Sequence, residues 1–166
     1  MTHLVRLALC GALLAAFASP MAAGIENQRL HGQNSCAVKA QGVYGFQCHG
    51  SAFNGNVFEP VTFVGTVEGS SRGFYEGFGT FNSSNGSFST HVAGQAKYGP
   101  NCFGHVDYTT NEILLPNGEV IRLEPISFDF AVVDDGHEIL GTAVAPPGVT
   151  GDLVPRLTCR LVKLER

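Results

Sequence analysis

Residues 73–104 read GFYEGFGTFNSSNGSFSTHVAGQAKYGPNCFG, and the reading of this stretch decides the fold. Side chains alternate along a strand. Phe74, Glu76, Phe78 and Thr80 therefore share one face, and Tyr75, Gly77, Gly79 and Phe81 share the other. The chain folds back at Asn85-Gly86 and again at Gly99-Pro100, both turn signals. If Tyr98 opposes Cys102 across the second turn, Gln95 opposes His105 and Ala93 opposes Asp107. One side of that hairpin carries Ser89, His91, Gln95, Lys97, His105 and Asp107. The other carries Phe88, Val92, Ala96, Tyr98, Val106 and Tyr108. Apolar burial is worth about 25 cal/mol per Å², so the second side is expected to face inward and the first to face water.

The same pattern runs outward from this stretch in both directions. GVYGFQCHGS, from residue 42, sets Tyr44, Phe46 and Cys48 on one face. VFEPVTFVGTVE, from residue 57, groups Val57, Val61, Phe63, Gly65 and Val67, with Pro60 expected at an edge or bulge. Asn-Gly-Asn at 54–56, Pro116-Asn117-Gly118 and Asp134-Asp135-Gly136 are turn signals. GEVIRL, ISFDFAVV, HEILGTAV and LTCRLVKL follow as strands, and PPGVTGD at 146–152 reads as a loop. No segment holds a helical period for long.

Eight or nine short strands joined mostly by hairpins give an all-β fold. A small closed antiparallel up-and-down barrel is favoured over a flat sandwich. The 21 glycines and 12 phenylalanines then have a shared purpose. Closing about eight strands needs tilt and sharp coiling, and glycine both bends a strand and leaves room for a ring beside it.

Residues 1–24 read as a signal peptide, 25–41 as an irregular leader with room for a short helical turn, and 42–166 as the barrel domain. Arg6 precedes an apolar run from Leu7 to Phe17, shorter than the roughly 20 residues that span a bilayer. Ala16 and Ala18 suit cleavage after Ala18, and cleavage after Ala23 or Gly24 fits as well. Leu9 is too large for the position before a lipid-modified cysteine. The expectation is a secreted or periplasmic protein with no stable membrane insertion once the signal is removed. Without Cys10, four of the five cysteines remain: Cys36, Cys48, Cys102 and Cys159. An even number in an exported chain suggests two disulfides. Strand directions put Cys36 and Cys102 at one end, and Cys48 and Cys159 across the seam between first and last strands. The expected pairing is therefore Cys36–Cys102 and Cys48–Cys159.

The net charge of −4 and the lack of any basic run offer nothing to nucleic acid. No CxxC pair, HxH, HExxH, GxSxG, GxGxxG or P-loop occurs, so no metal and no cofactor is expected. Tyr44, Phe46, Phe63, Tyr75, Phe81, Tyr98 and Tyr108 are the expected lumen lining and ligand-binding residues. The candidate catalytic groups are His105 and Asp107, two places apart on one strand, and Glu76. Glu76 would become a buried, raised-pKa carboxylate if its face turned inward; the outward reading leaves Tyr75 and Phe81 in the lumen.

GVYGF at 42, VGTV at 64, GFYEGFGTF at 73, NGSF at 85, VAGQAKYGPNCFG at 92, FDFAVVDDGHEI at 128 and the final LTCRL together resemble a known family. These are the secreted bacterial proteins with an allene-oxide-cyclase-like, calycin-type barrel. The resemblance spans about residues 42–164 and implies a small closed barrel. Phe103 and His105 stand where that family has threonines around the glycine, and the hairpin at Pro116-Asn117-Gly118 looks like an addition. No set of cyclase catalytic residues carries over.

Three functions remain open on the sequence. The first is an exported barrel that binds an apolar small molecule in its lumen, with no reaction assigned. The second is a cyclase or isomerase that folds a flexible apolar substrate, because holding a reactive conformer can itself be catalytic. The third is a filled barrel serving as an interaction protein.

Overall fold

The structure, a computed structural model, describes residues 35–53, 57–145 and 155–164. The signal pattern, most of the leader, the turn at 54–56 and the loop at 146–152 lie outside the described residues. Nine strands follow a helical turn over 35–39. They are β1 (Gly42–Phe53), β2 (Phe58–Gly69), β3 (Phe74–Ser83), β4 (Gly86–Tyr98), β5 (Phe103–Leu114), β6 (Val120–Arg122), β7 (Ile126–Val133), β8 (Glu138–Val144) and β9 (Arg156–Lys163). Among the described residues no helix is long and apolar enough to cross a membrane.

Eight strands close a ring. The order β4-β3-β2-β1-β9-β8-β7-β5 is completed by pairing of β4 with β5, and every ladder is antiparallel. The ninth strand, β6, pairs only with the last residues of β5, Glu112–Leu114, and stays outside the ring. The chain after Pro116-Asn117-Gly118 thus forms a flap, and β7 takes the place beside the first half of β5, from Phe103 to Tyr108. Pro60 lies beyond Thr62, where the β2–β3 ladder ends, so β2 has a single neighbour at that point.

Burial follows the alternation read from the sequence. Tyr75 is buried while Phe74, Glu76 and Phe78 are exposed, and Val92, Ala96, Tyr98 and Val106 are buried across the next hairpin. The register of that hairpin differs from the expected one by two residues. Tyr98 opposes Gly104, Lys97 opposes His105, and Gln95 opposes Asp107. The cause is the connection, a 3-10 turn over Pro100–Cys102 in which Asn101 and Cys102 both take positive φ. This connection uses two more residues than the expected one. A shift of two preserves which face each side chain takes.

Glycine earns its place where strands come closest. A Cβ on Gly79 would lie 2.5 Å from the Val64 carbonyl oxygen and 2.9 Å from the Phe63 ring. Gly65 sits opposite Gly79, and a Cβ there would lie 2.2 Å from the Phe78 carbonyl oxygen. The pair opens a gap that the rings of Phe46 and Phe63 fill, edge to face at 4.6 Å.

One end of the barrel is plugged. Cys36, Ala37 and Ala40 of the helical turn are buried in the core, and the Cys36–Cys102 disulfide ties them to the β4–β5 connection. The Tyr44 hydroxyl donates to the Gly136 carbonyl at 2.7 Å, and Lys39 pairs with Asp135 at 2.8 Å. The second disulfide joins Cys48 to Cys159, directly opposed across the β1–β9 seam. Both bonds follow the pairing expected from the strand directions.

Replacing Cys48 and Cys159 together with alanine is expected to lower the unfolding free energy by about 2–4 kcal/mol. Urea denaturation measures this directly. A loss within experimental error would mean that the ladder alone holds the seam.

Candidate functional site

Above the plug the barrel interior is hollow. The cavity has a volume of about 260 Å³, and its wall is almost entirely carbon. Phe46, Phe63, Tyr75, Phe81 and Tyr108 line it, all five as expected from their strand faces. Tyr44 and Tyr98 were expected there too but do not line it. Tyr44 is held at the plug by its bond to Gly136. Tyr98 lies behind Tyr75, their hydroxyl oxygens 2.6 Å apart, and packs edge to face on Phe130 at 5.4 Å. Burial pushes the Tyr44 phenol up to about 12 and raises those of Tyr75 and Tyr98, so all three are neutral hydrogen-bonding groups at physiological pH.

The other end of the lumen is built from residues that the strand pattern did not single out. Ala52, Asn111, Ile113, Leu123, Ile126 and Pro155 line it. Asn111 and Ile113 arrive there through a β-bulge. Gly94 opposes Tyr108 but Ala93 opposes Thr110, so Thr109 is the extra residue of β5. Before the bulge the even-numbered residues Val106 and Tyr108 point inward; after it the odd-numbered Asn111 and Ile113 do. Gly94 permits this close contact, since a Cβ there would sit 2.1 Å from the Asp107 carbonyl oxygen. The run Thr-Thr-Asn-Glu-Ile-Leu carries no mark of the bulge, whereas Gly94 was its one visible signal.

The bulge also turns Glu112 outward. There it accepts from His91 Nδ1 at 3.2 Å and from Arg122 Nε at 3.3 Å. His91 Nε2 lies 3.0 Å from Glu76, and the His91 ring stacks on Phe78 with centroids 4.6 Å apart. Glu76 is therefore on the outer wall, half-exposed, with no access to the lumen.

His105 and Asp107 meet as their spacing suggested, also on the outer wall. His105 Nε2 is 3.0 Å from Asp107, and Nδ1 is 2.7 Å from Asp129. The buried Ser127 hydroxyl donates to Asp107 at 2.7 Å. This is not the order that activates a serine. The hydroxyl is bonded to the carboxylate rather than the imidazole, and both ring nitrogens already face carboxylates. Both nitrogens can donate only in the imidazolium. The Asp129 hydrogen bond is the main cause raising the His105 pKa, partial burial opposes it, and Asp107 adds to it. The Ser127 hydroxyl and then His105 hold Asp107 below the usual carboxylate value.

Among the described residues no group of three His, Cys, Asp or Glu is placed to hold a metal ion. The candidate site is thus the lumen, a wall of aliphatic and aromatic carbon with four polar side chains in it. Thr90 donates to the Gly79 carbonyl at 3.3 Å, the Asn111 amide donates to the Glu124 carbonyl at 2.8 Å, and Tyr75 is paired with Tyr98. Tyr108 is the fourth. Comparison of the chain with protein-family models, with curated proteins and with solved structures finds no match.

The His105 cluster gives a signed pH dependence. The raised His105 value stabilises the fold at low pH, and that contribution is lost as the pH rises through the raised value. Asp107 contributes above the ordinary carboxylate value and loses its share as the pH falls through its lowered one. In an NMR titration His105 is expected to titrate above a free histidine, with Asp129→Asn lowering its midpoint. An unchanged midpoint in that variant would remove Asp129 as the cause.

Proposed function

We propose that this chain is an exported barrel protein that binds an apolar small molecule in its lumen. The observation that carries the reading is the 260 Å³ cavity with a carbon wall. A cavity of roughly 150 Å³ accepts benzene, and drug-sized sites begin at about 300 Å³. A ligand of bicyclic or short-chain lipid size fits between them. Space left among core side chains forgoes packing contacts at a cost that grows with its volume, so a hollow of this size is a costly feature for a barrel whose only task is to be a scaffold.

The remaining parts of the reading rest on other features. Two disulfides suit an oxidising compartment, and residues 1–24 have the pattern of a secretory signal. The calycin-type resemblance, proposed on the sequence alone, implies a small closed barrel. The cyclase or isomerase alternative draws little from the site, because Glu76, His105 and Asp107 all lie on the outer wall and no carboxylate or imidazole lines the lumen among the described residues.

Native mass spectrometry of protein purified from its source is expected to show a co-purifying mass that organic extraction releases. A second test uses Gly141, which lines the lumen and has ordinary contact distances of 3.4 Å and more for an added Cβ. The unaltered protein is expected to bind 2-ethylnaphthalene, and Gly141→Phe is expected to fill the cavity, leave the melting temperature equal or higher, and abolish that binding. Undiminished binding in the filled variant would place the ligand elsewhere and overturn the reading.

A further inference from the structure

The Tyr108 hydroxyl stands apart from the other polar groups of the lumen wall. Its ring packs edge to face on Phe128 with centroids 6.1 Å apart. The side chain nevertheless keeps free surface, and that surface belongs to the cavity. Among the described residues nothing hydrogen-bonds to the hydroxyl, while Tyr44, Tyr75 and Tyr98 all have hydroxyl partners. No buried side-chain polar atom of the described residues is left unsatisfied, so the Tyr108 oxygen is accessible and not sealed in the wall, and Tyr108 lines the lumen. Burial raises the phenol pKa and keeps the O–H proton in place. A neutral donor thus projects into a carbon-walled space, where a missing partner costs more than it would in water.

Resting on the container reading above, we propose that Tyr108 is the anchor of the lumen, and that its ligand is an apolar molecule bearing one neutral acceptor oxygen, such as a ketone, aldehyde, ester or alcohol. The charge of the ligand follows from the wall. Among the described residues no lysine, arginine or histidine lines the cavity, and an ionised carboxylate held against carbon without a cation is disfavoured. A fatty-acid anion buried in the lumen is therefore disfavoured, and a carbonyl compound of similar bulk is admitted. The Tyr108 O–H donates to the carbonyl oxygen while the hydrocarbon part lies against Phe46, Phe63 and Val92.

The test compares 2-acetylnaphthalene, 2-ethylnaphthalene and 2-naphthoate, which are close in size and differ in the polar group. Dissociation constants come from protein-observed NMR titrations of the unaltered protein and of Tyr108→Phe. The variant removes only an unpartnered hydroxyl, so its melting temperature is expected to be equal or higher. The ratio of ketone to hydrocarbon affinity is expected to fall about three- to tenfold in Tyr108→Phe, with 2-ethylnaphthalene binding equally well to both. The carbonyl stretch of the 13C-labelled ketone bound to the unaltered protein is expected at lower frequency than in a hydrocarbon solvent, a readout that needs no variant. If both neutral probes bind and neither the affinity ratio nor the stretch responds, Tyr108 is not the anchor, and the container reading stands. Naphthoate binding as tightly as the ketone at neutral pH would overturn the neutral-ligand claim. Failure of all three probes to bind at their solubility limits would overturn both readings together.

Discussion

Closure of the ring at the seam between β1 and β9 is the constraint on which the rest of this molecule depends. Residues Tyr44–Ser51 pair with Arg156–Lys163, the first strand with the last, and Cys48 and Cys159 are bonded at the middle of that ladder. Closure gives each strand of the ring two neighbours and removes the exposed edges that an open sheet would present. It also gives the sheet an inside. Only then does alternation along each strand become a separation between a carbon-walled lumen and a polar outer face. The tight curvature this demands is met where Gly65 and Gly79 face each other and let Phe46 and Phe63 lean across them.

The two ends of the barrel spend their interior differently. At the plugged end, side chains and backbone satisfy one another. Tyr44 bonds to Gly136, Tyr75 to Tyr98, and the helical turn is cross-linked through Cys36. Toward the other end space remains among Phe81, Ile113, Leu123 and Leu157. Packing contributes stability on one side and is withheld on the other. Tyr108, between them, has the same chemistry as the three tied tyrosines and, among the described residues, no hydroxyl partner.

The bulge at Thr109 links the architecture to the electrostatics of the lumen. Without it, the inward parity of Val106 and Tyr108 would continue to Glu112, and a carboxylate would project into the cavity. The extra residue carries Glu112 to the outer wall, where His91 and Arg122 receive it, and brings Asn111 and Ile113 inside in its place. Charges are thus collected outside, in the His91 and His105 clusters.

Strand faces, turns, the all-β class and the cysteine pairing were legible in the sequence because they follow from local rules: a period of two, glycine and proline at turns, and alternating strand direction. The inner positions of Phe46, Phe63, Tyr75, Phe81 and Tyr108 came from the same rules, as did the outward placement of Phe74, Glu76 and Phe78. Other features needed the fold. The 3-10 turn over Pro100–Cys102 moved the hairpin register by two, the bulge reversed the parity of β5, and β6 left the ring. Whether a tyrosine hydroxyl finds a partner depends on which backbone carbonyl or second phenol lies at its tip. For Tyr44 that is Gly136, far away in the chain; for Tyr108 it is open space. The sequence by itself determined which side chains face inward wherever a ladder runs unbroken, since that needs only parity. Tertiary structure alone decided which of them touch and which leave room, since that depends on distances between strands remote in the chain.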